Sequence, residues 1–187
     1  MTTHLKPPLD DRQVLDLHAG DQVLLQGTIY VARDAAHKRL TAALAEGAPL
    51  PYDPSGQVIY YMGPSPARPG SPIGSAGPTT SVRMDGYTGA MLRAGVKALI
   101  GKGERGPAVR QALQHHRAVY LVAIGGAGAL LAQAIRKAEV IAYPELGPEA
   151  IRRLTVVDFP AIVGCDCYGE DVYSTGRQPY RGRRLRQ

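Results

Sequence analysis

The sequence predicts an α/β fold built on a largely parallel sheet, and two patterns predict it. Short runs of β-branched and aliphatic residues alternate with segments of helical periodicity, and Gly or Pro corners stand at most of the joins. No fixed-period repeat is visible, and 187 residues fit one domain able to bury about 70% of its unfolded surface. Trp is absent and Phe occurs once, so Ala and Gly carry much of the packing.

Pro7 and Pro8 begin an irregular lead-in, followed by a short polar segment over 10–17 and a turn at Gly20 and Asp21. Residues 22–31 read as a strand. Asp34 is placed to cap the next helix, whose stripe is Ala35, Ala36, Leu40, Ala43 and Leu44, and Gly47 ends it. Arg33 therefore lies at a strand-to-helix corner, where ligands bind in α/β proteins. Beyond the turn at 53–56, a strand over 57–61 leads to Gly63 and Pro64. The stretch 65–76, crowded with Pro, Gly and Ser, reads as a functional covering loop rather than a hinge.

That loop ends at Gly77-Pro78-Thr79-Thr80-Ser81-Val82-Arg83-Met84. A helix beginning at Thr79 sets its hydroxyl and the Arg83 guanidinium one turn apart on one face, beside a helix N-terminus, and all three suit a carboxylate. A capped surface helix with a solvated Arg is the plain alternative. Helix is expected over 87–94, strand over 96–100, a second tight corner at Gly101-Lys102-Gly103, and helix over 107–115. A strand over 119–124, a glycine turn, a helix over 127–135, a strand over 139–143 and a helix over 148–154 follow. Two short apolar runs, 156–157 and 161–163, finish the regular structure.

The formal net charge is +6, yet Arg177, Arg181, Arg183, Arg184 and Arg186 lie in the last eleven residues, which hold no acid. Without them 17 basic residues face 16 acidic ones, so the basicity belongs to a tail, 177–187, appended to a domain over 1–176. A nucleic-acid-binding face is not indicated. Two cysteines are too few for a disulfide framework, which makes a cytoplasmic setting the default. No signal-type segment opens the chain. The uncharged run 118–135 is interrupted by Gly125, Gly126 and Gly128 and reads as strand, turn and helix rather than a membrane span.

Three motifs carry less than they suggest. Gly126-Ala127-Gly128 lacks the third glycine of a dinucleotide fingerprint, with Leu131 in its place, so close strand–helix packing is the better reading. Cys165 and Cys167 share a strand face but lack the second pair that zinc or an iron–sulfur cluster needs. His37, four residues after Arg33, reads as a structural hydrogen-bonding histidine. What remains is a set of cations at chain corners, Arg33, Arg83 and Lys102, beside the hydroxyl of Thr79. Three cations exceed the need of one carboxylate and match a small diacid; a non-catalytic anion-binding module is the alternative of another class.

The segment 77–84, with Arg33-Asp34-Ala35-Ala36-His37, Ile59-Tyr60-Tyr61-Met62-Gly63-Pro64, Gly101-Lys102-Gly103 and Gly125-Gly126-Ala127, resembles the C-terminal domain of class I iron–sulfur fumarases, which also occurs as the β subunit of two-subunit fumarate hydratases and L-tartrate dehydratases. The resemblance runs from about Leu5 to about Tyr173. It implies a swivelling β/β/α domain, three layers with a mostly parallel central sheet. It implies a hydro-lyase acting on fumarate and (S)-malate, or on tartrate or a related diacid, and active only with an α subunit in an α2β2 assembly. That subunit carries a [4Fe-4S] cluster, leaving no metal ligand in this chain. By the same resemblance Thr79 moves the proton at the substrate carbon, and Arg33, Arg83 and Lys102 grip the carboxylates. Asp34 and His37 orient Arg33, with Thr80 beside Thr79. Gly164-Cys165-Asp166-Cys167 departs from the family pattern, where an aliphatic-acidic strand end without thiols is expected.

Overall fold

The computed structural model describes residues 2–176 and Gln178; the arginine tail expected over 177–187 lies outside the described residues apart from Gln178. The strands are β1 (Thr2–Leu5), β2 (Gln22–Val31), β3 (Val58–Tyr60), β4 (Ala98–Gly101), β5 (Val119–Val122), β6 (Ile135–Ala142) and β7 (Ile151–Cys165). The helices are α1 (Asp11–Leu15), α2 (Asp34–Ala45), α3 (Asp85–Arg93), α4 (Pro107–His116), α5 (Gly128–Gln133) and α6 (Val172–Thr175), with 3₁₀ turns at Ser81–Met84 and Pro144–Glu149. No helix is long and apolar enough to cross a membrane among the described residues.

The α/β character expected from sequence is present, and β2, β3, β4 and β5 run parallel in that order. The layering differs from the expectation. β7 lies antiparallel to β2 along nearly all of that strand, and its other edge pairs with β5 and then with β6. The ring β2-β3-β4-β5-β7 therefore closes into a five-strand barrel of mixed orientation, with β1 and β6 attached outside it, rather than an open three-layer parallel sheet.

β7 is also where sequence reading goes wrong locally, since 148–154 is not a helix. Its buried residues are Ile151, Leu154, Val156, Phe159, Ala161, Val163, Gly164 and Cys165. Two of those steps are of three residues, which imitates helical spacing. The alternation slips because Asp158 takes a positive φ of 52° and β7 is bulged there, its three steps from Val156 to Phe159 facing two steps of β2 between Leu25 and Gly27.

The short strands are buried on both faces, as their unbroken apolar runs require. Val58, Tyr60, Ala98, Ile100, Val119 and Leu121 join one core cluster with Phe159 and Leu154. Ile59, Tyr61, Leu99 and Tyr120 point the other way, into a second cluster with Ala36 and Leu40 of α2, Met91 of α3 and Leu113 of α4. The rigid result is a barrel wall carrying helices on one side, with the ends of β2, β3, β4 and β5 gathered on one rim.

Phe159 is fully buried and meets Tyr60 edge to face, with ring centroids 5.2 Å apart, across the barrel. Phe159→Ala is expected to lower unfolding stability by about 3–5 kcal/mol in urea denaturation. Phe159→Leu should cost clearly less, and equal stability of the alanine variant would refute this account of the core.

Candidate functional site

Thr79 does not begin a helix. The segment from Pro78 to Thr80 is extended and fits between the ends of β3 and β4: Pro78 bridges Met62, and Thr80 bridges Lys102. The Thr79 amide donates to the Tyr61 carbonyl at 2.7 Å, and the Lys102 amide donates to the Thr79 carbonyl at 3.2 Å. Residues 81–84 form a 3₁₀ turn, and α3 begins only at Asp85. The expected i, i+4 pairing of Thr79 with Arg83 is thus replaced by a backbone pairing of Thr79 with Lys102. Thr80 precedes the 3₁₀ turn without a side-chain capping bond.

Gly101 permits this closeness, because a Cβ there collides with the Ser81 hydroxyl. The Gly77 corner is packed in the same way. The Ala76 amide donates to the Gly128 carbonyl at 3.0 Å, and a Cβ on Gly128 would lie 2.9 Å from the Gly77 nitrogen. The glycines of the 125–128 turn therefore bring two loops together, rather than a strand and a helix. Gly63, Ser65, Ser75, Gly77, Pro78, Lys102, Gly126 and Gly128 line an open cleft of about 350 Å³. The 65–76 loop is pinned at its base by the Ser65 amide donating to the Ser75 carbonyl and the Ser75 amide to the Ser65 hydroxyl.

Lys102 is the cation in that cleft. Its stem passes the Gly125 backbone, and its ammonium has no hydrogen-bond or salt-bridge partner among the described residues. Arg33 and Arg83 form a second group. Asp34 is the first residue of α2 rather than its cap, and it divides its oxygens between the two guanidiniums: 3.2 Å to Arg33 Nε and 2.9 Å to Arg83 Nη2. Glu149 divides its own, accepting from the Ala35 amide at 2.7 Å while lying 3.4 Å from Arg33 Nη2. A carboxylate 114 residues away in sequence thus caps α2 and satisfies the helix dipole. The remaining end of Arg33, Nη1, lies against Gly63 on the cleft wall, 2.8 Å from where a Cβ would be. Gly63 joins the two cation groups.

Two residues that sequence reading passed over support this arrangement. One is Glu149, for which no local signal exists. The other is Arg105, three residues after Lys102, whose side chain is fully buried. Arg105 donates to Asp85 at 2.8 Å and Thr88 at 2.7 Å, and its guanidinium lies over the rings of Tyr61 and Tyr120. Asp85 in turn accepts from the Gly106 amide, and Tyr120 OH bonds to Ser81 Oγ and the Gly103 carbonyl. Arg105 thus fastens the start of α3, the Lys102 corner and the sheet to one another. The alternation of GKG with a following arginine was the available signal.

His37 lies in the first turn of α2. It is wholly buried, with Nδ1 3.0 Å from the Arg33 carbonyl, so Nδ1 carries the proton and donates. Its Nε2 has no partner, and the ring meets Tyr61 edge to face. Cys165 and Cys167 are buried thiols, and burial pushes Cys165 up to about 12. Two protonated thiols do not make the ligand set of an iron–sulfur cluster, and no group of three or more His, Cys, Asp or Glu is placed to hold a metal ion among the described residues.

The sequence model of the family described as Fumarase C-terminus matches residues 2–176. Over 174 residues the chain is 40% identical to fumarate hydratase 2 of Leishmania major, which covers 91% of this chain and 31% of that protein. It is 43% identical over 151 residues to the anaerobic class I fumarate hydratase of Escherichia coli (strain K12), covering 80% and 28%. It is 31% identical over 185 residues to the L(+)-tartrate dehydratase subunit beta of the same organism, covering 96% and 90%. The chain spans about a third of the length of these fumarate hydratases and nearly all of the tartrate dehydratase subunit.

Burial holds His37 well below the ordinary histidine value, at about 4. Between that value and the unfolded one near 6.5, the unfolded chain binds the extra proton, so stability falls as pH drops through this window. The expected contribution is about 3 kcal/mol lost from pH 7 to pH 4, absent in His37→Gln. Denaturant unfolding of both proteins across that range tests it, and parallel pH profiles would overturn it.

Proposed function

We propose, from the premise that this chain belongs to the Fumarase C-terminus family, that it is the β subunit of a hydro-lyase that reversibly hydrates fumarate to (S)-malate. The observation that supports the reading is the cation frame around one rim: Lys102 with an unpartnered ammonium beside Thr79, and Arg33 and Arg83 held in register by Asp34. A C4 dicarboxylate presents two anionic ends at a fixed separation. Arg33, through Nη1 at the Gly63 wall, and Lys102 in the cleft receive one end; Arg83, half-exposed, remains available to the other.

Thr79 moves the proton at the substrate carbon in this reading. A threonine hydroxyl is a poor base at its free pKa, so its alkoxide-like state needs a neighbouring positive field. Lys102 supplies that field without a competing carboxylate of its own. The backbone bond between Thr79 and Lys102 ties the two segments together. Arg105, Asp85 and Tyr120 hold the strand ends that carry them, and their role is positioning.

The [4Fe-4S] cluster is assigned to a partner α subunit in an α2β2 assembly, since the thiols of this chain do not fit it. A cytoplasmic location goes with this reading. The second reading, an L-tartrate dehydratase β subunit, is supported by the 31% identity over 185 residues to the L(+)-tartrate dehydratase subunit beta.

The chain alone should show no hydration, and anaerobic reconstitution with the α chain should restore it; a fully active isolated chain would sink the subunit reading. A fumarate and tartrate panel on the reconstituted pair decides the substrate. In that pair Thr79→Val should lower kcat at least about 100-fold with KM little changed. Arg33→Ala should cost about 2–4 kcal/mol in kcat/KM, and Gly63→Ala, which displaces Arg33 Nη1, should fall in the same direction. Unaltered kinetics in all three would reject the site.

A further inference from the structure

An apolar groove lies beside the cation cleft, the two meeting at the turn before α5. Thr2 of β1, Val23 and Leu24 of β2, Pro160 and Ile162 of β7, and Ile124 and Leu130 line it, and its volume is about 330 Å³. Ile124 is 65% exposed and Leu130 60% exposed, the two most exposed large apolar side chains among the described residues. They flank Gly125, Gly126 and Gly128, whose backbone forms the cleft wall beside Lys102. Charged side chains are absent from the groove lining.

We propose that this groove is the docking surface for the larger, cluster-bearing chain, and that the docked chain closes the cation cleft from the side of the 124–130 turn. The inference rests on the β-subunit reading. Three observations select that occupant over a second copy of this chain. The matched family is the C-terminal part of longer proteins, and the match takes up only 31% and 28% of the two fumarate hydratases, so most of each relative lies ahead of the residue equivalent to Thr2. In such a protein the preceding chain enters at β1, and Thr2 lines this groove. The groove also borders, at Ala127, the turn whose Gly126 and Gly128 line the cleft, and the Lys102 ammonium in that cleft has no partner among the described residues. Covering Ile124 and Leu130 would remove apolar surface from water and dry the site at the same time.

The test uses the full chain and the separately produced α chain, which corresponds to the rest of the class I fumarate hydratases. Their affinity is measured by calorimetry under anaerobic conditions. Ile124→Asp and Leu130→Asp change exposed side chains and should leave the melting temperature of the isolated chain unaltered, while weakening the complex at least about 30-fold, the size expected for a charge forced into an apolar contact. Val140→Asp, at a side chain 49% exposed on β6 and outside the groove, should bind as the wild type. Wild-type affinity in both groove variants overturns the surface and leaves the β-subunit reading standing. No complex with the wild-type chain overturns both. Self-association of the wild type that the groove variants abolish, with α-chain binding intact, assigns the groove to a second copy and overturns the proposal.

Discussion

Every other feature depends on β7 having partners on both edges. A parallel run β2-β3-β4-β5 alone is an open sheet with two bare edges, and an edge of unpaired amides and carbonyls is costly or sticky. β7 spans 15 residues, long enough to satisfy β2 on one side and β5 and then β6 on the other. Closure fixes where the ends of β2, β3, β4 and β5 lie relative to one another. The residues just past those ends are Arg33, Gly63, Lys102 and Gly125. The site geometry is therefore a property of the ring, and not of any single loop.

Within that frame the cations are arranged by two acids, each used twice. Asp34 holds two guanidiniums; Glu149 holds one and caps a helix. Dividing a carboxylate in this way sets the direction of Arg33 at two points and leaves its third nitrogen against Gly63, which lines the cleft. Arg105 contributes by burial. Its partners Asp85 and Thr88 and the two aromatic faces compensate much of its desolvation, although Nη1 has no hydrogen-bond partner. The interaction is strongest where it is needed, between the start of α3 and the corner that carries Lys102.

The parts legible in the sequence were those written in local patterns. The β2 strand has the bounds expected, 22–31, because aliphatic and β-branched residues fill both halves of the segment between turn residues. The corner positions of Arg33 and Lys102 follow from Gly and strand-end signals that act over a few residues. What was not legible is what long-range pairing decides. Thr79 prefers extended backbone because Tyr61 and Lys102 offer their carbonyl and amide, overriding the helix that Thr-Thr-Ser suggests. β7 hid because a bulge and a positive-φ residue break its alternation. Glu149 was invisible because capping at 114 residues' separation has no sequence period. The barrel closure itself is of this kind: nothing local distinguishes a strand with one partner edge from a strand with two.

The charge balance of the rim separates its cations into two kinds. Arg33, Arg83 and Lys102 bring three positive charges, and Asp34 and Glu149 return two negative ones, so the empty cluster carries about one net positive charge and does not repel itself apart. A dianion entering this cluster turns the balance negative. Arg83, already paired at 2.9 Å and half in water, adds little further attraction through its occupied side. Lys102 and the Nη1 face of Arg33 are the donors with capacity to spare; Lys102 lines the cleft, and Arg33 Nη1 lies against Gly63 on its wall. In the proposed reading Lys102 and Arg33 hold one carboxylate at close range, and Arg83 meets the other together with positive charge from the chain that closes the cleft. In that reading the frame orients a diacid, and the partner completes the field in which it reacts.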